Sequence, residues 1–389
     1  MRIALLVLLF LTLSLDALSQ FESSKVCQKC HPIIYKEHSE SSHRNASIYN
    51  DAIHKAIWDK HPAKAKDKYK CAVCHTPNDK KLIEALSHGE KAVPQENRAQ
   101  LQEGVSCASC HNIKSIEKHA TRNRNIITHD KKKLYSARAS EKNVKNKEYE
   151  IKKDFFGLVT KESGSAFHNI DFTNEIYYNG NVCLGCHDHK QNAKGFDVCN
   201  MQQEKTPNSE KTNCITCHMP EVSGSFTTLR DSKTHKYHGF TGTMHKPKML
   251  AKYVDISFEK VQNGFNIIIE NKANHTLLLH PLRVGELKVE LLHADKKRAL
   301  KSVKFVRIIG KDKKPSPPWL ANEIVKNTQI KAYEKRKIFF DTKVEKGDSV
   351  MVKLGHYIIM PKVAKKLGLE NKKDLSTFKL LKEETFYVK

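Results

Sequence analysis

Ten of the 11 cysteines in this 389-residue chain form five pairs at one spacing, and histidine follows each pair at once. They read Cys27-Gln-Lys-Cys30-His31, Cys71-Ala-Val-Cys74-His75, Cys107-Ala-Ser-Cys110-His111, Cys183-Leu-Gly-Cys186-His187 and Cys214-Ile-Thr-Cys217-His218. Histidine fills 21 positions. On composition alone, five such coincidences have a chance of roughly one in two million. Two thiols three positions apart can each add to one vinyl group along an edge of a porphyrin, giving two thioether bonds. The next residue then carries its imidazole beneath the ring as proximal ligand of iron. A thioredoxin-type redox pair needs no histidine there, and zinc sites would pair two Cys-x-x-Cys units or add spaced histidines. The expectation is five covalently attached haem c groups, with His31, His75, His111, His187 and His218 as iron ligands.

Many cysteines in an exported chain would otherwise suggest a disulfide framework. Here the thioethers claim ten of them. Cys199 is left without a partner, and is expected as a buried thiol near a haem or, alternatively, as a reactive or intermolecular one.

The elements that must hold these groups divide the chain in two. All cysteines lie between Cys27 and Cys217, with gaps of 39, 31, 71 and 26 residues between motifs, so this is no tandem repeat. With so little chain per haem, the porphyrins must form much of the interior, wrapped by short helices and long loops. The stretch Lys131 to Lys153 reads as a solvated, lysine-rich insertion. From about Ala251 the pattern changes to strands. Ile256 and Phe258 alternate with polar residues up to Val261, Asn263-Gly264 signals a type I′ hairpin, and Phe265 to Ile269 returns. Further strands are expected at Leu287 to Leu292, Val303 to Ile309, Ile330 to Phe340, Val350 to Leu354 and Phe378 to Val388. A turn is expected at Lys346-Gly347-Asp348, a loop at Pro315 to Pro318 and a short helix at Met360 to Leu369. The fold class is therefore mixed: a mainly α and irregular multihaem domain over residues 20–250, then an all-β sandwich-like domain over 251–389.

Residues 1–19 read as a secretory signal. Arg2 supplies the positive end, Ile3 to Leu13 the apolar stretch, and Ala17 and Ser19 the small-residue cleavage positions. The expected location is the periplasm, with no integral membrane segment after cleavage. Lysine plus arginine number 68 against 43 aspartate plus glutamate, a net charge of +25. No basic–aromatic recognition motif appears, so nucleic acid is not an expected partner. A basic surface outside the cytoplasm suits redox protein partners, acidic ones or membrane-associated quinol-oxidising complexes.

Several stretches around the motifs carry a family likeness. They are Cys30-His31-Pro32 with Tyr35 and Ser42-His43; Gly104-Val105-Ser106-Cys107; Cys199 with Glu204; Cys217-His218-Met219-Pro220; and His238-Gly239-Phe240-Thr241-Gly242. Over roughly residues 25–250 the sequence resembles the multihaem cytochromes c of the cytochrome c-554 type, a group related to hydroxylamine oxidoreductase and the pentahaem nitrite reductases. The later strands look like the haem-free tail of some of these proteins, with Asn271-x-x-Asn274-His275 at a related asparagine–histidine motif. The resemblance implies two histidines on most irons. Candidate distal ligands are His43, His168 and His238, followed by His54 and His61 (seven apart, on the face of Trp58) and His245. His275, His119 and His129 rank lower, and His38, His88, His189 and His235 read as bystanders.

With both axial positions filled, iron can only change oxidation state, so the chain is expected to carry electrons between a respiratory donor and a terminal acceptor or reductase. The alternative is a reductase or oxidoreductase acting on a small nitrogen or sulfur oxyanion at one open-coordinate haem. Relatives that reduce nitrite commonly replace an attachment histidine by lysine, which this chain does not. The later strands hold no G-x-S-x-G, H-E-x-x-H or phosphate-loop motif.

Overall fold

The computed structural model describes residues 23–96, 103–130, 132–145, 147, 150–153, 157, 160–165, 167–200, 212–229, 232–294 and 296–389. The signal segment, Lys131 and Glu204 lie outside the described residues.

Each Cys-x-x-Cys-His motif folds into a helical turn, as its spacing requires. Positions i, i+3 and i+4 share one face of such a turn, so both thiols and the imidazole are presented together. The second to fifth motifs build the helices Ala72–His75, Cys107–His111, Leu184–His187 and Cys214–His218; the first motif begins on the 3-10 helix Ser24–Lys29. Turns this short do not hold themselves. Capping boxes anchor two of them, Ser106 with Ser109 and Asn213 with Thr216. Asn123 steadies another by donating to the Leu184 carbonyl and to Asp188.

Longer helices stand beside them at Pro32–Ser39, Ala52–Lys60 and Lys80–Ser87. The helix that carries His54 and Trp58 starts at Ala52, because the Asp51 carboxylate accepts from the amides of Ile53 and His54 and caps it there. Among the described residues this part also contains five two-stranded ribbons, which the expectation of helices and loops did not include. One is parallel, Lys133–Tyr135 beside Asn169–Asp171.

The later strands form two sheets around a shared core. Gly264–Asn271 lies between Val254–Val261 and Lys335–Phe340 in the first. The second follows the path Lys296–Ala299, Val284–His293, Ser349–Tyr357 and Lys379–Tyr387, with Val303–Phe305 also paired to Val284–His293. Phe265, Ile267 and Ile269 from one sheet meet Leu287, Val289, Val350 and Val352 from the other. Alternation puts these side chains on inner faces.

Three local expectations change. Val261 pairs with Gly264, so the hairpin loop is Gln262-Asn263, and neither residue has the positive φ of a type I′ turn. Gly264 serves another purpose: a Cβ there would lie 2.2 Å from the Phe340 carbonyl oxygen. The segment Val303 to Ile309 breaks into Val303–Phe305 and Arg307–Lys311, which joins a separate small sheet. Of Ile330 to Phe340, only Lys335–Phe340 is strand.

The two parts share a core as well. Ile53 of the helix Ala52–Lys60 packs with Ile358, Ile359, Ala364, Leu369 and Leu375. Arg307 donates to the carbonyls of Asp197 and Val198, and Asn192 to those of Pro318 and Ala321. No described helix is long and apolar enough to cross a membrane.

Candidate haem sites

One cavity of about 4320 Å³ is lined by the cysteines and histidines of all five motifs. His280 shows what kind of space this is. It is exposed as a residue and lines the cavity, so the cavity accounts for its exposure.

Two imidazoles gripping one metal from opposite sides need ring centres about 6 Å apart, with roughly 2 Å from each nitrogen to the metal and roughly 1 Å from nitrogen to ring centre. Three pairs have that spacing with nearly parallel rings: His31 with His168 at 6.4 Å and 27°, His111 with His238 at 6.4 Å and 20°, and His218 with His275 at 5.9 Å and 16°. A fourth, His187 with His43, has centres 5.7 Å apart and planes crossed at 82°, and the two Nε2 atoms face each other at 3.4 Å.

Hydrogen bonds set the tautomers. Nδ1 of His31 donates to the Phe226 carbonyl, that of His111 to Tyr135, and that of His218 to Thr241, at 2.6, 2.7 and 2.6 Å. His238 and His275 do the same to Lys236 and Thr276. Each bond fixes the ring and leaves the Nε2 lone pair for a metal. Burial pushes His43 and His238 down to about 3 and His168 to about 4. These rings are neutral at pH 7, as ligation requires.

His75 is different. His54 lies beside it with centres only 4.0 Å apart, and Nδ1 of each ring points at the same Ala46 carbonyl. That spacing is too short to hold a metal between them. Two other expectations are not met. His61 is the C-cap of its helix, beyond the last turn, where its Nδ1 accepts the Ala63 amide proton; its ring packs against Trp58 and Trp319. The acceptor role puts the proton on Nε2, the wrong tautomer for a ligand there. His245 is hydrogen-bonded to the Tyr237 hydroxyl and faces no attachment histidine among the described residues. Of the bystanders, His38 bonds the Val105 carbonyl, His235 bonds Glu37 and the Gly224 carbonyl, and His189 bonds Asp188.

His275 was the residue ranked too low. It lies beyond the strand Gly264–Asn271, where the buried Asn271 amide donates to the carbonyls of His275 and Lys331 and pins the loop. The asparagine–histidine motif was the only signal for it. Gly104 plays a matching part for His43. Its φ is +60°, and a Cβ there would lie 2.7 Å from the His43 carbonyl, so glycine lets the loop close on that residue.

The thiols show which motifs are neighbours. Cys27 and Cys107 lie near enough to perturb each other electrostatically, as do Cys74 and Cys186, and Cys183 and Cys214. Cys110 lies close enough to act on both Cys183 and Cys186. Cys199 lies on the strand Asp197–Asn200 with its pKa raised by burial, which keeps the thiol protonated at neutral pH. None of the 11 cysteines is in a disulfide.

The donor set fits haem c: paired thiols for two thioethers, an imidazole beside each pair, opposed imidazoles at four sites, and a cavity common to all five. Comparison with known proteins agrees. The family profile "Cytochrome c554 and c-prime" matches residues 26–112, across three of the motifs. A penta-haem cytochrome c552 from Thermochromatium tepidum is similar in structure, with a TM-score of 0.68 at 18% identity over 95% of this chain and 100% of that one. No curated protein matches the sequence. The chain thus shares the fold of a penta-haem cytochrome, is similar over its first three motifs to the cytochrome c554 family, and carries five sites that fit covalent haem c.

Proposed function

We propose that this protein is an exported electron carrier, working in the periplasm between a respiratory donor and a terminal acceptor or reductase. The four opposed histidine pairs carry this reading. When bound, haem supplies one-electron oxidation and reduction. The protein's own residues do the rest. The cysteine pairs would tether it, the proximal histidines and their carbonyl partners would fix its orientation, and His168, His238, His43 and His275 would close the opposite faces against substrate. The close approach of thiols from different motifs supports passage of electrons from site to site.

The spacing of His54 and His75 favours a second reading for one site. With no described histidine spaced to oppose His75 across a metal, an iron held there would be open to a small ligand, and Lys190 and Arg122 place positive charge near the motif. A nitrogen or sulfur oxyanion would be the matching substrate class. Electron paramagnetic resonance of the oxidised protein separates the readings. The expected result is four low-spin irons with two histidines each and one high-spin iron. If nitrite and hydroxylamine leave the high-spin signal unchanged, the site is not a catalytic one. More than one high-spin iron would sink the carrier reading.

The division at residue 250 is proposed as structural only, since His275 belongs to the same site as His218. The net charge of +25 supports acidic redox partners. Reduction of an acidic partner should slow several-fold between low and physiological ionic strength as screening sets in. A rate indifferent to salt would remove electrostatic steering.

A further inference from the structure

The His43–His187 pair differs in geometry from the other three: its ring planes cross at 82°, where theirs lie 27°, 20° and 16° from parallel. The Nδ1 atoms of His238 and His275 donate to backbone carbonyls, but Nδ1 of His43 is buried without a hydrogen-bond partner. No hydrogen bond sets the rotation of the His43 ring. Phe240 packs against it edge to face at 4.2 Å and 78°, and also stands 6.3 Å from His238. Phe240 holds a φ of +54°, a conformation unusual for a bulky residue. Its neighbours anchor it there: Thr241 donates its amide to the His218 carbonyl, and the Thr241 carbonyl accepts from His218 Nδ1. Strain of this kind persists where the surroundings impose it.

We propose that Phe240 is a positioning residue that sets the plane of His43 across that of His187. This rests on the electron-carrier reading.

Crossed ligand planes bring two iron d orbitals close in energy and give a highly anisotropic low-spin resonance, whereas parallel planes give rhombic ones. The oxidised protein should show one highly anisotropic signal and three rhombic ones. Phe240→Ala should move that signal toward the rhombic form, while Phe240→Tyr keeps it. Failure to find an anisotropic signal, or its persistence unchanged in Phe240→Ala, would each overturn the proposal. The spectrum of the unaltered protein decides the first of these even if the alanine variant does not fold. The carrier reading fails separately, by the count of high-spin irons.

Discussion

Replacing His275 by alanine should leave five haems covalently attached and convert one iron from low to high spin. The attachment count stays because the thioethers of that site come from Cys214 and Cys217, far from the substitution in sequence. The spin state changes because His275 is the ring opposite His218, 5.9 Å away and nearly parallel to it. Asn271 would still hold the loop backbone, so the loss is confined to the ligand. His275→Met should keep the iron low-spin but raise its potential, since methionine is the weaker donor to ferric iron. Mass and resonance spectra of the purified variants measure both outcomes. An unchanged low-spin count in His275→Ala would remove this histidine from the site.

Asp171→Asn should destabilise the protein by about 2 kcal/mol at neutral pH, the scale of a hydrogen bond between charged groups. The Asp171 carboxylate is 2.7 Å from the Lys133 ammonium, and both side chains are mostly covered. A fully buried pair would lose more when broken, but Lys133 borders a surface hollow. Burial by itself raises the Asp171 pKa; Lys133 and the Thr173 hydroxyl and amide overcome this and hold it below the ordinary range. Burial by itself lowers Lys133, and Asp171 reverses that and raises it. The carboxyl's contribution is therefore present above its unfolded pKa of about 4 and is lost as pH falls through the lower folded value. The ammonium's is present below about 10.4 and is lost as pH rises through its raised value. Thermal or denaturant melts across pH should show the wild-type advantage over Asp171→Asn shrinking in acid. A gap that stays constant down to pH 2 would refute the assignment. The ribbon also carries the Tyr135 carbonyl that orients His111, so the variant should broaden the resonance of the third site.

The strands after residue 250 were largely legible because one face of each is buried and the period of two shows in the residues. Val254–Val261 and Gly264–Asn271 follow this pattern closely. Their turn did not, because Gly264 is required by the Phe340 carbonyl across the sheet and not by the loop, and a sequence cannot show who approaches a glycine. The ribbons around the motifs were missed because strands of three to five residues carry too few positions to show a period. Val303 to Ile309 looked continuous, and its break reflects two different partner strands.

The five attachment sites and their proximal histidines were fixed by the chain's local order. Their atoms lie within one helical turn, and covalent spacing alone brings them together. The opposing ligands were decided by packing. His168 meets His31 from 137 positions further along the chain, His43 meets His187, and His275 meets His218 only after the sheets have closed. His61 and His245 show the limit from the other side: each had the right residue type, yet a backbone amide claims one and a tyrosine hydroxyl the other. Which imidazole reaches which iron, and at what angle, depends on distances between segments remote in the chain, and those exist only once the chain is folded.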